Sequence, residues 1–123
     1  MFSLMIVDDS NIIRSKIHRA HDRQRFNVVA VAKDGAEAVR LFQDSQPQVV
    51  TMDLTMPNMD GIACIETLAG LNPEVLILVV SALSDQATGI EALEKGASGF
   101  LLKPFSEEQL REALDELTEH LDD

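Results

Sequence analysis

The chain has 123 residues, 46% of them hydrophobic, and a formal net charge of −11. That length suits one domain with its own core, and that composition excludes a disordered chain. The acidic balance argues against direct nucleic-acid binding, and no apolar stretch is long enough to span a membrane.

Cys64 is the lone cysteine, so no internal disulfide can form, and among apolar neighbours it reads as a core residue. Asp8 and Asp9 break the first apolar run where a signal peptide would need it unbroken, so a cytoplasmic location is expected. The charge is uneven. Residues 14–25 carry Arg14, Lys16, Arg19, Arg23 and Arg25 against Asp22, whereas residues 106–123 carry eight acids against Arg111.

In chain order, short apolar runs alternate with longer amphipathic ones. The predicted strands are Leu4–Val7, Phe26–Ala32, Gln48–Met52, Val75–Val80 and Gly99–Leu102. Their Val, Ile and Leu content, with little polar alternation, predicts strands buried on both faces. The first helix runs from Asn11 to His21, with Ile13, Ile17 and Ala20 inward. The second follows Asp34-Gly35 and turns Ala36, Val39 and Phe42 inward; the third starts near Asp60, with Ile62, Ile65 and Leu68. The fourth starts near Ser84, with Ala87, Ile90 and Leu93 inward. The last opens on Ser106, which with Gln109 can form a capping box, and continues with Leu110, Leu114, Leu117 and Leu121 on its core face.

Five β-α pairs in succession predict a doubly wound α/β fold with right-handed crossovers. In such sheets ligands bind beyond the carboxyl ends of the strands. The residues there are Asp8 and Asp9 after the first strand, Asp53 after the third, Ser81 after the fourth, and Lys103-Pro104 after the fifth. Any one of these could cap a helix or start a loop; all of them at one sheet edge point to chemistry. Three converging carboxylates repel one another and need counter-charge. Lys103 supplies one positive charge, and a hard divalent cation, Mg²⁺ or Mn²⁺, would supply more. Such a site suits phosphoryl transfer, with Asp53 attacking in line.

The segments Val7-Asp8-Asp9-Ser10, Thr51-Met52-Asp53-Leu54, Met56-Pro57-Asn58-Met59-Asp60-Gly61, Val80-Ser81-Ala82, Gly96-Ala97 and Leu102-Lys103-Pro104-Phe105, in this order and at these intervals, resemble the receiver domain of two-component response regulators. The resemblance covers essentially the whole of residues 1–123 and is nearest in kind to single-domain, chemotaxis-type receivers. It implies a flavodoxin-like five-stranded parallel sheet of order 2-1-3-4-5 with five helices. It also implies that Asp53 is the phosphoacceptor, that Asp8, Asp9, Asp53 and the backbone carbonyl of Thr55 hold the metal, and that Lys103 and Ser81 contact the phosphoryl group. Pro104 would follow a cis peptide, and Phe100 would occupy an aromatic switch position. The residues that influence phosphoryl lifetime would be Thr55 and Leu83, a pair that suggests slow hydrolysis.

The resemblance implies a switch that catalyses only its own phosphorylation and dephosphorylation. Its expected partners are a histidine kinase or phosphotransfer protein and an output protein reached through the surface of the fourth helix, fifth strand and fifth helix. A monomer without nucleic-acid or membrane contact is expected. The alternative is the N-terminal receiver of a longer regulator with transcriptional or enzymatic output. Arg14, Lys16 and Arg19 are expected near the site, as a docking surface for the phosphodonor. A flavin binder on this fold is disfavoured because the chain has no Trp or Tyr, and an Asp-nucleophile phosphatase because Thr55 stands where a second Asp is common. His18 and His21, three apart on one helix without a third ligand, are expected at the surface.

Overall fold

A computed structural model describes residues 1–54, 60–82 and 86–121, with the side chain of Gln86 excepted. Five strands, β1 (Phe2–Val7), β2 (Phe26–Ala32), β3 (Val49–Met52), β4 (Leu76–Ser81) and β5 (Gly99–Leu102), alternate with five helices. These are α1 (Asn11–Ala20), α2 (Gly35–Ser45), α3 (Gly61–Leu71), α4 (Gln86–Lys95) and α5 (Glu107–Thr118). The strands are parallel in the order β2-β1-β3-β4-β5, as the resemblance implies. The expected helix start near Ser84 and the residues Thr55, Met56–Met59 and Leu83 lie outside the described residues.

Each sheet face has its own core. Met5, Val7, Val50, Met52, Ile77 and Val79 pack with Phe42, Cys64, Ile65 and Leu68 on one side. Phe2, Leu4, Ile6, Leu78 and Val80 pack with Ile17, Phe105, Leu110, Leu114 and Leu117 on the other. The alternate residues of β1 thus point to opposite faces, both apolar, which is why the strand reads as a continuous hydrophobic run.

Helix starts are set by local chemistry. Ser10 accepts from the Ile13 amide, Asp34 from the Glu37 amide and Asp60 from the Ile62 amide. Ser106 and Gln109 form the predicted capping box. A cap of this kind contributes about 1 kcal/mol.

Some expectations fail at the sheet edges. Only β1, β3 and β4 are buried throughout or nearly so; the edge strands β2 and β5 leave Val29, Val31, Phe100 and Leu102 exposed. In α4 the expected inward face is turned out: Ala87, Ile90 and Leu93 are exposed, and Ala92 is buried instead. Gly96, just past the helix at φ 128°, is the tight point: a Cβ there would lie 2.7 Å from Ala69 Cβ, whereas one on Gly89 would make only ordinary contact with the Phe100 ring at 3.8 Å. Likewise Ala36 is exposed while Gly35 and Ala38 are buried. Leu121, beyond the end of α5, is exposed, and the buried Thr118 extends the core face, its hydroxyl donating to the Leu114 carbonyl at 2.9 Å. His18 is exposed as expected, but His21 is buried where the chain turns from α1 toward β2, its ring edge-on to His18 at 5.6 Å.

Candidate functional site

The sheet register builds the site. Val7 of β1 lies opposite Met52 of β3, and Met52 opposite Val79 of β4. The ladder runs past the strand ends: the Asp53 amide donates to the Val7 carbonyl at 3.0 Å, and the Asp8 amide to the Ala32 carbonyl at 3.1 Å. On the other flank Ser81 lies opposite Leu102, and the Lys103 amide donates to the Ser81 carbonyl at 2.8 Å. Asp8, Asp53 and Lys103 are thus held by main-chain bonds at the ends of strands, and rigid elements of this kind fix side-chain geometry better than loops do.

The carboxylates converge. Asp8, Asp9 and Asp53 each bring an oxygen to within 4.8 Å of the others, the one such group of metal-capable side chains among the described residues. Asp8 and Asp53 are each 1% exposed, whereas Asp9 faces solvent. Lys103 Nζ donates to Asp8 Oδ2 at 3.0 Å and lies 3.7 Å from Asp53 Oδ1. Asp8 Oδ1 also accepts from the Ser10 amide at 2.8 Å. Ser81 is fully buried at the end of β4. The Lys103–Pro104 peptide is cis, in agreement with the sequence resemblance.

Electrostatics sets what this cluster can bind. Burial pushes the Asp8 carboxyl up from its ordinary value of 3.8, against the pull of the Ser10 amide and Lys103. Desolvation at the crowded strand end pushes Asp9 up as well, and the hydrogen bond and charge of Asp53 add to it. Burial is the main cause of both shifts, and the neighbouring Asp53 charge adds to each, with Lys103 as the one cation facing three carboxylates. The donors are all hard oxygens, two of them on buried carboxylates and one on the exposed Asp9. Such a set fits a divalent cation of the Mg²⁺ type, which takes few protein carboxylates and keeps its waters. Thr55, whose carbonyl the resemblance assigns to the same ion, lies outside the described residues.

Further residues support the site in ways not read from the sequence. Arg14 Nη1 donates to the Asp8 carbonyl at 2.7 Å, bracing the turn that carries Asp8 and Asp9. Its place one turn into α1, after the Ser10 cap, was the available signal. Gly61, at the start of α3, lies against the main chain that follows β3: a Cβ there would stand 2.6 Å from Leu54 Cα and 3.0 Å from the Asp53 carbonyl oxygen. Only a glycine lets α3 approach the Asp53 backbone so closely. Lys16 donates to the Phe105 carbonyl and lies 4.6 Å from the Phe105 ring centroid. Of the three basic residues expected beside the site, Arg14 and Lys16 are therefore engaged internally, and Arg19 sits in the last turn of α1, which runs away from the carboxylates.

Phe100 is 37% exposed, its ring against Gly89 on the outer side of β5. With Leu102, Ile90 and Leu93 it makes α4 and β5 an apolar outer surface. The buried Cys64 thiol is pushed up to about 11, which leaves it a packing residue and no nucleophile.

The profile of the Response regulator receiver domain family matches residues 4–115. The chemotaxis protein CheY of Listeria monocytogenes is 36% identical over 115 residues, spanning 94% of this chain and 97% of that protein. The crystal structure of the response regulator domain of Thermotoga maritima CheB superposes with a TM-score of 0.87 at 31% identity, covering 100% of this chain and 99% of that one. The CheX–CheY–BeF₃–Mg complex of Borrelia burgdorferi superposes with a TM-score of 0.89 at 30% identity, covering 94% and 88%. Family profile, chemotaxis relatives and fold agree with the strand-end carboxylates: this chain belongs to the response regulator receiver domain family of two-component signalling.

Proposed function

We propose that this chain, over residues 1–123, is one receiver domain that works as a phosphoacceptor switch, taking a phosphoryl group onto Asp53 and changing its affinity for a partner protein. The observation that carries this reading is Lys103 Nζ standing 3.0 Å from Asp8 and 3.7 Å from Asp53 beside the three-carboxylate cluster.

Asp53 is the carboxylate held at the meeting point of a lysine, a buried hydroxyl and two further acids. One of its oxygens attacks the phosphorus of a phosphohistidine on a histidine kinase or phosphotransfer protein. The P–N bond breaks, the imidazole leaves with the electron pair, and an acyl phosphate remains on Asp53. Lys103 already lies between Asp8 and Asp53 and has only to swing to the phosphoryl oxygens to neutralise them. Ser81 donates its hydroxyl to the same group. A Mg²⁺ or Mn²⁺ held by Asp8, Asp9, Asp53 and the Thr55 carbonyl would supply further positive charge to the transferring oxygens. Water later attacks the phosphorus and regenerates the carboxylate. The chain acts on no substrate beyond its own phosphoryl group. With Thr55 and Leu83 at the positions that influence water attack, slow hydrolysis is the expectation.

Output is read as a protein contact. Movement of Ser81 toward the phosphoryl group vacates space into which Phe100 can turn from its exposed position. The neighbouring apolar side chains of α4 and β5, Ile90, Leu93 and Leu102, form the surface such a move would reshape. A cytoplasmic monomer fits this role. No described helix is long and apolar enough to cross a membrane. A second reading, the receiver piece of a longer regulator, is favoured by the likeness to the response regulator domain of Thermotoga maritima CheB.

Incubation with acetyl phosphate tests the reading. The intact mass should rise by one phosphoryl group with Mg²⁺ present and stay unchanged with EDTA, and hydroxylamine should remove the group. Equal labelling in EDTA, or a hydroxylamine-stable adduct, would contradict it.

A further inference from the structure

At the end of the sheet away from the carboxylates, three of the chain's six arginines open on one pocket. Arg19 comes from the last turn of α1, Arg23 from the connection to β2, and Arg111 from the first half of α5. With His21, Asp22 and Gln24 they line a cavity of about 430 Å³.

These arginines are unlike the others. Arg25 pairs with Asp115, Arg40 with Glu37, and Arg14 donates to the Asp8 carbonyl. The side chains of Arg19 and Arg23 make neither ion pair nor hydrogen bond with the described residues, and that of Arg111 commits only its Nε, to the Ala20 carbonyl at 2.6 Å. In a chain with 21 acids and 10 bases, arginines clustered around a single carboxylate need a reason. The pocket's one acid, Asp22, accepts from the Gln24 amide at 2.9 Å. His21 lines the same cavity, is 5% exposed, and has a buried Nδ1 without a partner. Leaving such a buried nitrogen unsatisfied is costly, unless a ligand completes it.

Attraction of cations to the carboxyl end of α1 accounts for His18 and Arg19. It does not account for Arg23, for Arg111 or for the orphan His21 nitrogen. A metal is excluded by the arginines themselves and by the lack, among the described residues, of a third metal-capable side chain beside His18 and His21. An oxyanion satisfies every group: guanidinium forks take paired oxygens, and a ring N–H of His21 donates to another. Three guanidinium groups against one carboxylate call for a multiply charged anion, where a single carboxylate would leave charge uncompensated. The volume falls in the range of small-molecule sites.

We propose that Arg19, His21, Arg23 and Arg111 form a binding site for a small soluble phosphate-bearing anion, a phosphomonoester or polyphosphate, separate from the acidic cluster. The test titrates inorganic pyrophosphate into the full chain in EDTA, at constant ionic strength, and follows it by ¹H–¹⁵N NMR. Saturable shifts confined to residues 19–24 and the Arg111 side chain are expected, with a Kd below about 1 mM. The double variant Arg19→Ala, Arg23→Ala, both at exposed positions, should bind at least about tenfold more weakly, a loss of ~1.4 kcal/mol. His21→Phe should weaken binding while His21→Gln, which keeps a donor, retains part of it. Linear shifts, shifts matched by sodium glutamate, or binding unchanged in the double variant would overturn the site. So would a chain that ignores pyrophosphate but sediments with phosphatidylcholine vesicles containing phosphatidic acid, since the ligand would then be a membrane surface.

Discussion

Lys16 of α1 grips Phe105, donating to its carbonyl and lying 4.6 Å above its ring, and so ties the first helix to the segment that carries Lys103. Phe105 is itself buried in the core shared by α1 and α5. The hydrogen bond and the cation–π contact should together contribute about 1–2 kcal/mol. Lys16→Met should lower the urea midpoint accordingly and slow phosphorylation by acetyl phosphate a few-fold through looser placement of Lys103. Lys16→Arg should recover most of both. If Lys16→Met unfolds like the wild type, the contact carries no stability.

Asp9 should behave as a residue kept for binding at a cost to the fold. The Asp8 and Asp9 carboxyls are held above their ordinary value of 3.8, so the folded chain binds more protons than the unfolded chain in that range. Their contribution to stability is therefore greatest below 3.8 and is lost as pH rises through the raised folded values. At neutral pH, without metal, Asp9→Asn should raise the melting temperature, with a smaller gain in acid. Calorimetry should also find its Mg²⁺ affinity sharply reduced. A lower melting temperature at neutral pH would refute the repulsion.

Gly61→Ala should be costly for a helix residue. The new Cβ has no room against Leu54 Cα and the Asp53 carbonyl. Overpacking of this kind costs about 1–3 kcal/mol. Alanine is otherwise the better helix former, so a neutral or stabilising result in denaturant unfolding would mean that α3 can shift away without loss.

Much of this molecule was legible in its sequence because parallel, doubly covered strands leave an unmistakable pattern. Val7, Met52 and Val80 end apolar runs, and the polar residues just beyond them had to meet at one sheet edge once the order was 2-1-3-4-5. What could not be read was anything decided by shape. Ile90 and Leu93 look like a core stripe, but both are exposed, and Ala92 between them is the residue that α4 buries. Val29 is extra on edge strand β2, where the pairing slips between Leu4 and Met5, and no local pattern announces that bulge. Lys16 and His21 belong to a charged segment that reads as solvated, yet one is bound to Phe105 and the other is buried, because both meet parts of the fold outside their own helix.

Phosphorylation should be felt at α4 and β5 through Ser81 and Phe100. Turning the Phe100 ring from 37% exposure to burial is favourable by about 1–2 kcal/mol at most, so the two states lie close. Beryllofluoride with Mg²⁺ should shift the amides of Ala87–Lys95 and Gly99–Leu102 in the wild type. In Ser81→Ala and Phe100→Ala those shifts should shrink while the amides near Asp53 still respond. Full-size shifts in Ser81→Ala would sever the proposed link.

The most direct measurement maps the phosphoryl group. The chain is incubated with acetyl phosphate and Mg²⁺, digested, and sequenced by mass spectrometry beside Asp53→Asn and Lys103→Ala. The expected result is a single labelled residue, Asp53, no label in Asp53→Asn, and weak label in Lys103→Ala. Wild-type labelling of Asp53→Asn, at any other residue, would contradict the assignment of Asp53 as the acceptor.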